Sequence, residues 1–424
     1  MNPADHVLLV VGACVVVLGM SSRVVKKHAL SPVLLALAVG VLVGPHALGA
    51  VDPVADVPRH VLLEQLARVA LALSVVDIAL RVRPEDLREN ARRLAVLLLV
   101  VMPGMWLVTA LGAWLLLGLS VTLALCLAAA LTPTDPGVAS ALVTGKLPDA
   151  LLPRRVRISL QGEAAANDGL ALPFVLLAGA LATLPAGEAV ADAVAGAGRQ
   201  LAVSAAVGVL TGWLLLQLVG WAGVHRLAEE DWFPLASSGL AVAVLALAHL
   251  LGGSGILAAF LAGLVFAEGL PEGLREPIHE VHRSVTKVAL TVVFLAFGTV
   301  LPVDRWWPEL GAAGIAFALW VLVLRRLPVA LPMLALSGTG VWSAGFIAWA
   351  GPLGVAGIYY LAFLHRYQLP EYERLFAAGS LAITVSVLGQ ALLAAVAVRR
   401  YNRAIGEPAV DGEDDELVLR GRLP

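Results

Sequence analysis

The 424-residue chain is 59% apolar and only 14% charged, with a formal net charge of -2 and a mean hydropathy of +0.88. A soluble domain is about half apolar with about a quarter of its residues charged, so the composition excludes a large soluble globular protein and describes an all-α polytopic membrane protein. No excess of one charge sign points to nucleic acid, and Cys14 and Cys126 lie in apolar runs without the spacing of a disulfide framework or metal site.

The first twenty residues carry Asp5 and no small-residue cleavage site before Arg23-Val-Val-Lys-Lys27. They read as a first spanning helix and not as a removed signal peptide. At about 20 apolar residues per crossing, thirteen transmembrane spans are expected. They fall near 5–22, 29–50, 61–80, 94–118, 120–145, 156–184, 198–224, 232–251, 254–270, 285–302, 309–332, 340–364 and 374–398. The first six (5–184) and the last six (232–398) would be two repeats, with the seventh (198–224) a linker helix.

Basic residues collect after spans one, three, five and nine: Arg23, Lys26 and Lys27; Arg81, Arg83, Arg88, Arg92 and Arg93; Lys146, Arg154, Arg155 and Arg157; Arg275, Arg283 and Lys287. The alternate loops hold few, such as Arg59, Arg305, Arg366 and Arg374. Positive loops stay in the cytoplasm, which places the N-terminus outside and the C-terminus inside, as an odd number of spans requires. Residues 401–424 turn polar and acidic at Asp411-Gly-Glu-Asp-Asp-Glu416 and read as a short, disordered cytoplasmic tail.

Two spans are interrupted. Pro133 and Pro136 in span five cannot donate to the carbonyls of Ala129 and Thr132, and Gly351-Pro352-Leu353-Gly354 in span twelve leaves the Ala348 carbonyl unpaired. Broken backbone at membrane depth is tolerated only where it lines a cavity or is buried in protein. Each break falls in the fifth span of its set, and an offset of seven spans inverts the second set. Two inverted six-helix repeats with crossed broken helices at the midplane are therefore expected, which is transporter architecture.

An ionisable group at the centre of a span costs roughly 2.5 to 3.5 kcal/mol, so Asp135 in span five and Asp168 in span six are site candidates. At about 100° per residue Glu163 and Asn167 share a face, whereas Asp168 points roughly 140° away from Glu163. The two carboxylates should do different jobs. A hard monovalent cation wants carboxylate, hydroxyl and carbonyl oxygens, which Asp168, Asp135, Thr134 and the freed carbonyls supply. With the cation gone, a proton neutralises the acidic pair, and cation and proton compete for one site.

Glu163 needs a counter-charge, and Arg325-Arg326 in span eleven is the basic pair well inside an apolar stretch; Arg326 could instead snorkel to the surface. Asp77, late in span three, is a candidate third carboxylate near the cytoplasmic mouth. Glu64 and Arg68, four apart, read as an intrahelical pair, and His249 as a packing histidine. His279-Glu-Val-His282 has its histidines three apart, fails the metalloprotease spacing, and reads as part of a solvated loop. No nucleophile elbow, P-loop or dinucleotide fingerprint is present in a suitable context.

Pro133-Thr-Asp-Pro136, Glu163 through Asn167-Asp168 to Pro173, Arg325-Arg-Leu-Pro-Val329 and Gly351-Pro-Leu-Gly354 with Tyr359-Tyr-Leu361 come in order over nearly the whole chain. Together they resemble the bacterial sodium/proton exchangers of the first monovalent cation:proton antiporter family. The resemblance implies a membrane antiporter domain over residues 1–400, with a six-helix core domain, a dimerisation domain, and elevator-like alternating access. It implies a homodimer in the cell inner membrane that exchanges Na+, Li+ or K+ for protons and needs no organic cofactor. It makes Asp168 the carrier, Asn167 the brace of the crossed helices, Thr134 and Asp135 their partners, and Glu163 with Arg325 a structural ion pair. Asn in place of a second Asp at position 167 implies one cation per proton, hence electroneutral exchange. Two positions depart from the family pattern: Ala164 stands where many members have Ser, and Leu353 where many have Arg. The alternative is a cation channel or uniporter on the same scaffold.

Overall fold

A computed structural model describes residues 3–21, 31–52, 57–135, 151–225 and 232–405, and among them all regular structure is helical. That follows from the solvent: in hydrocarbon every backbone N–H and C=O must be paired within its own segment. Six helices are long and apolar enough to cross a membrane, namely Ala91–Leu117, Arg154–Thr183, Ala186–Val224, Gly273–Thr299, Val303–Leu336 and Tyr372–Ile405. Five shorter apolar helices accompany them.

In chain order the helices are α1 (Pro3–Met20), α2 (Pro32–Val43), α3 (Arg59–Arg81), the short α4 (Pro84–Glu89) and α5 (Ala91–Leu117). Next come α6 (Val121–Ala130), α7 (Arg154–Leu170), α8 (Leu172–Thr183) and α9 (Ala186–Val224). Then follow α10 (Phe233–Leu250), α11 (Gly255–Gly269), α12 (Glu272–Thr299), α13 (Gly311–Val323) and α14 (Leu327–Leu336). The last are α15 (Val341–Trp349), α16 (Val355–Phe363) and α17 (Tyr372–Ile405).

Two packed groups emerge. Helices α2, α3, α9, α10, α11 and α12 pack on one another, and α5 through α8 and α13 through α17 form the other group, with α16, α7 and α8 meeting α3, α11 and α9 between them. Without a hydrophobic force between helices in lipid, close packing needs small residues. At the α2/α12 crossing a Cβ on Gly40 would lie 2.2 Å from the Leu295 carbonyl oxygen. A second apolar cluster, including Met105, Val156, Leu160, Ile347 and Tyr401, fills one end of the second group.

Several expectations are corrected. Helix α12 starts at Glu272 and not near 285, so Arg275, Arg283 and Lys287 lie on a helix and not in a loop. Helix α9 begins at Ala186, well before 198. The sixth expected span is itself interrupted: α7 ends at Leu170 and α8 restarts at Leu172, because Pro173 has no N–H to continue the ladder. The eleventh is likewise broken at Leu324–Arg326, where Pro328 removes the bond to the Leu324 carbonyl. Pro136, Arg23, Lys26, Lys27, Lys146 and the acidic run Asp411–Glu416 lie outside the described residues.

Candidate functional site

The two breaks meet. Helix α6 ends at Ala130, α15 at Trp349, and the extended segments Thr132–Asp135 and Gly351–Gly354 lie side by side. The Asp135 N–H donates to the Pro352 carbonyl at 2.9 Å, and the Val355 N–H donates back to Asp135 Oδ2. The Asp135 carboxylate thereby caps the N-terminus of α16, where the helix dipole favours an anion. This close approach requires glycine at 354: a Cβ there would fall 2.5 Å from both Cγ and Oδ2 of Asp135.

Helix α7 delivers the remaining groups. Asn167 Nδ2 donates to Thr134 Oγ1 at 2.7 Å, and its Oδ1 accepts from the Thr134 N–H at 3.2 Å. The amide thus ties α7 to the broken segment of span five through both of its ends. Asp168, one residue on, is 0% exposed. It lies close enough to Asp135 for the two charges to act on one another. Among the described residues neither Asp168 carboxylate oxygen has a hydrogen-bond partner. A buried carboxylate without donors is costly and calls for a neutralising ion.

Glu163 faces another way, as its helical offset predicts, and its partner is a correction. Arg326, and not Arg325, forms the ion pair: Nη1 to Oε1 is 2.6 Å and Nη2 to Oε2 is 2.7 Å, with the side chains 4% and 2% exposed. The planar guanidinium matches the carboxylate in a two-point contact. Arg326 therefore does not snorkel. The break at 324–326 turns the adjacent arginines to different targets. Arg325 Nη1 donates to the carbonyls of Leu131, Thr132 and Pro133, the last two at 3.3 Å, and Nη2 donates to the Gly351 carbonyl. Of the carbonyls expected to be free as cation ligands, that of Thr132 accepts from Arg325 instead. The expected side-chain ligands Asp168, Asp135 and Thr134 are all buried here.

Pro133, Gly351, Pro352 and Gly354 all lie in the crossing segments. Asp77 is engaged elsewhere: Arg81 Nη2 donates to its Oδ2 at 2.8 Å, and His279 Nε2 lies 3.2 Å from its Oδ1. The His279-Glu-Val-His282 string lies on α12 and not in a solvated loop. His282 is fully buried, with Nε2 2.8 Å from the Leu73 carbonyl and Nδ1 3.0 Å from Ser238 Oγ. Helical phase puts both histidines on one face, toward α3 and α10. Glu64 pairs with Arg366 across the molecule, Nε to Oε2 at 3.3 Å, and not with Arg68. His249 is exposed on α10 and is not a packing residue.

Sequence reasoning missed the roles of three residues that touch the crossing. Ser386 accepts from the Leu353 N–H at 3.0 Å, and its signal was a hydroxyl in the middle of an apolar span. Arg325 was assigned to the wrong partner. Tyr360 donates from its hydroxyl to the Asp168 carbonyl, a contact that no local pattern encodes.

Residues 10–400 match the family described as sodium/hydrogen exchanger, transmembrane. A Na(+)/H(+) antiporter of Schizosaccharomyces pombe is 30% identical over 393 residues, covering 86% of this chain and 80% of that protein. The K(+)/H(+) antiporter NhaP2 of Shewanella oneidensis is 29% identical over 383 residues, covering 87% of this chain and 62% of its own length. The fold is similar to that of the sodium proton antiporter MjNhaP1 from Methanocaldococcus jannaschii. The TM-score is 0.75 at 16% identity, over 96% of this chain and 100% of that one.

Proposed function

The chain belongs to the sodium/hydrogen exchanger family, whose members are transporters and not enzymes, and on that premise we propose that it exchanges a monovalent cation for protons. The observation that carries the proposal is Asp168, buried beside Asp135 with both oxygens lacking a donor among the described residues. In the proposed cycle Na+, Li+ or K+ binds between Asp168, Asp135 and the Thr134 hydroxyl. When it leaves, a proton takes its place on Asp168. Because one carboxylate accepts either ion, the two are never carried together, and two half-cycles in opposite directions make exchange.

Asp135 and Asp168 take different roles in this scheme. Asp135 already accepts from the Val355 N–H and stays an anion at the head of α16. Asp168 is the carrier. Asn167 is neutral and occupied by Thr134, so one charge is exchanged for one charge and transport is electroneutral. Thirteen crossings in two inverted sets, 5–184 and 232–398 with 198–224 as linker, would place the crossing at the midplane. The packed group of α5 through α8 and α13 through α17 would move as an elevator against the other group, in a homodimer. The N-terminus would face outside and the C-terminus the cytoplasm of a cell inner membrane.

The test uses everted membrane vesicles and a pH-sensitive dye. Addition of Na+, Li+ or K+ should dissipate an acid-inside gradient, and Asp168→Asn should abolish the response while leaving the protein in the membrane. Full exchange by Asp168→Asn would refute the assignment. Cation flux without counter-moving protons, at rates far above a carrier's, would select the channel or uniporter.

A further inference from the structure

We propose that Tyr360 is a positioning residue for Asp168, its hydroxyl inserted in the opened turn of span six and bonded to the Asp168 carbonyl. The proposal rests on the reading of Asp168 as the ion carrier and adds what holds that carboxylate in place.

The helical ladder of α7 runs normally to Ala171, whose N–H donates to the Asn167 carbonyl at 2.8 Å. It resumes with Val175 donating to Ala171 at 3.1 Å. Between them Pro173 has no N–H, and its ring crowds the Gly169 carbonyl, so the turn must open. Tyr360 fills the opening: its hydroxyl donates to the Asp168 carbonyl. A side chain inserted in the i to i-4 ladder is a recognised cause of a sharp helix break. Here the inserted group touches the backbone of the residue whose carboxylate is the site.

Tyr360 is fully buried, its ring edge-on to Tyr359 with centroids 4.8 Å apart, so the hydroxyl has no freedom to wander. It also stands on the same nine-residue helix whose first N–H binds Asp135. Helix α16 therefore holds Asp135 at one end through Val355 and Asp168 a turn and a half later through Tyr360. A short rigid helix acts as the gauge that sets the separation of the two carboxylates, and that separation decides how well a cation is held between them. On the other side, Gly169 presses on α11, where a Cβ would lie 2.8 Å from Leu257 Cα, so span six cannot relax away from Tyr360 in that direction.

Tyr360→Phe removes this bond and keeps the ring. The measurement is cation-driven proton flux in proteoliposomes, with the half-saturating Na+, Li+ and K+ concentrations determined separately from the maximal rate. A rise on the order of tenfold in half-saturating cation, with the maximal rate per folded protein changed less than about threefold, is expected for loss of a buried hydrogen bond at the site. A merely structural tyrosine would lower the amount of folded protein and the rate together and leave half-saturation unchanged, which would overturn the proposal. Should Tyr360→Phe give no folded protein, Pro173→Ala is measured in its place. It restores the N–H that closes the turn, and the same rise is expected; unchanged half-saturation overturns the proposal. A wild-type protein that responds to none of the three cations removes the antiport reading and this proposal with it, whereas an active wild type with an unaltered Tyr360→Phe removes this proposal alone.

Discussion

Replacing Arg326 with methionine removes one half of a pair that is 4% and 2% exposed and joined by contacts of 2.6 and 2.7 Å. Unit charges about 4 Å apart attract by about 4 kcal/mol at an effective dielectric of about 20. Stranding the Glu163 carboxylate in the bundle is expected to cost about 3 to 5 kcal/mol. Glu163→Met strands the guanidinium and should cost about as much. The double replacement strands nothing and should lie within about 1 kcal/mol of the wild type, because two well-packed apolar side chains of similar volume avoid both desolvation terms. The coupling energy is thus expected to be about 5 kcal/mol or more, read from unfolding in detergent followed by tryptophan fluorescence on a chain with 10 tryptophans. Adding Arg325→Met to Glu163→Met should show no such recovery, since Arg325 serves carbonyls and not the carboxylate. If the Glu163/Arg326 double variant loses the sum of the two single losses to within about 0.5 kcal/mol, the pair is not the tie described.

Two further outcomes follow from the crossing. Because a proton and a cation neutralise the same Asp168, half-saturating cation should rise as pH falls, approaching about tenfold per pH unit once the proton-bound form dominates; dye-based flux at about pH 6 and 8 giving equal half-saturation would sink the competition. Gly354→Ala should abolish exchange, since the added Cβ would sit 2.5 Å from the Asp135 carboxylate and push it off the Val355 N–H. Purified protein that binds and exchanges cation normally would show that Asp135 need not lie there.

What the sequence made legible was whatever local rules govern. Apolar runs marked where helices lie, prolines at 133 and 352 marked the breaks, and acids at 135 and 168 inside such runs marked the site, since each is costly in lipid without a purpose. Phase on one helix separated Glu163 from Asp168 correctly, because 3.6 residues per turn is a geometric constraint. Partner choice was not legible. Which of two adjacent arginines reaches Glu163 depends on how far the turn at 324–326 rotates α14, and that rotation is set by packing, not by spacing. The end of α12 was misread for a related reason. Its first three turns alternate charged and apolar groups, which resembles a loop in hydropathy yet leaves one face to pack on α3 and α10, where His282 is buried.

The electrostatics of the crossing account for a departure that the sequence alone left open. The family resemblance implies an arginine in the break that here holds Leu353, a residue fully buried with its N–H on Ser386. The ends of α6 and α15 still present unpaired carbonyls with the partial negative charge of helix C-termini. Arg325 answers that charge from a third span: one nitrogen serves Leu131, Thr132 and Pro133, the other Gly351, so a single guanidinium holds both half-helices. The opposite pole, the N-terminus of α16, faces the Asp135 carboxylate. Each exposed helix end thus meets a charge of the opposite sign, supplied by a side chain that the break itself brings near. Asp168 is the one acid at the crossing that no helix end, arginine or amide among the described residues answers, and that imbalance is what an exchanging ion would correct.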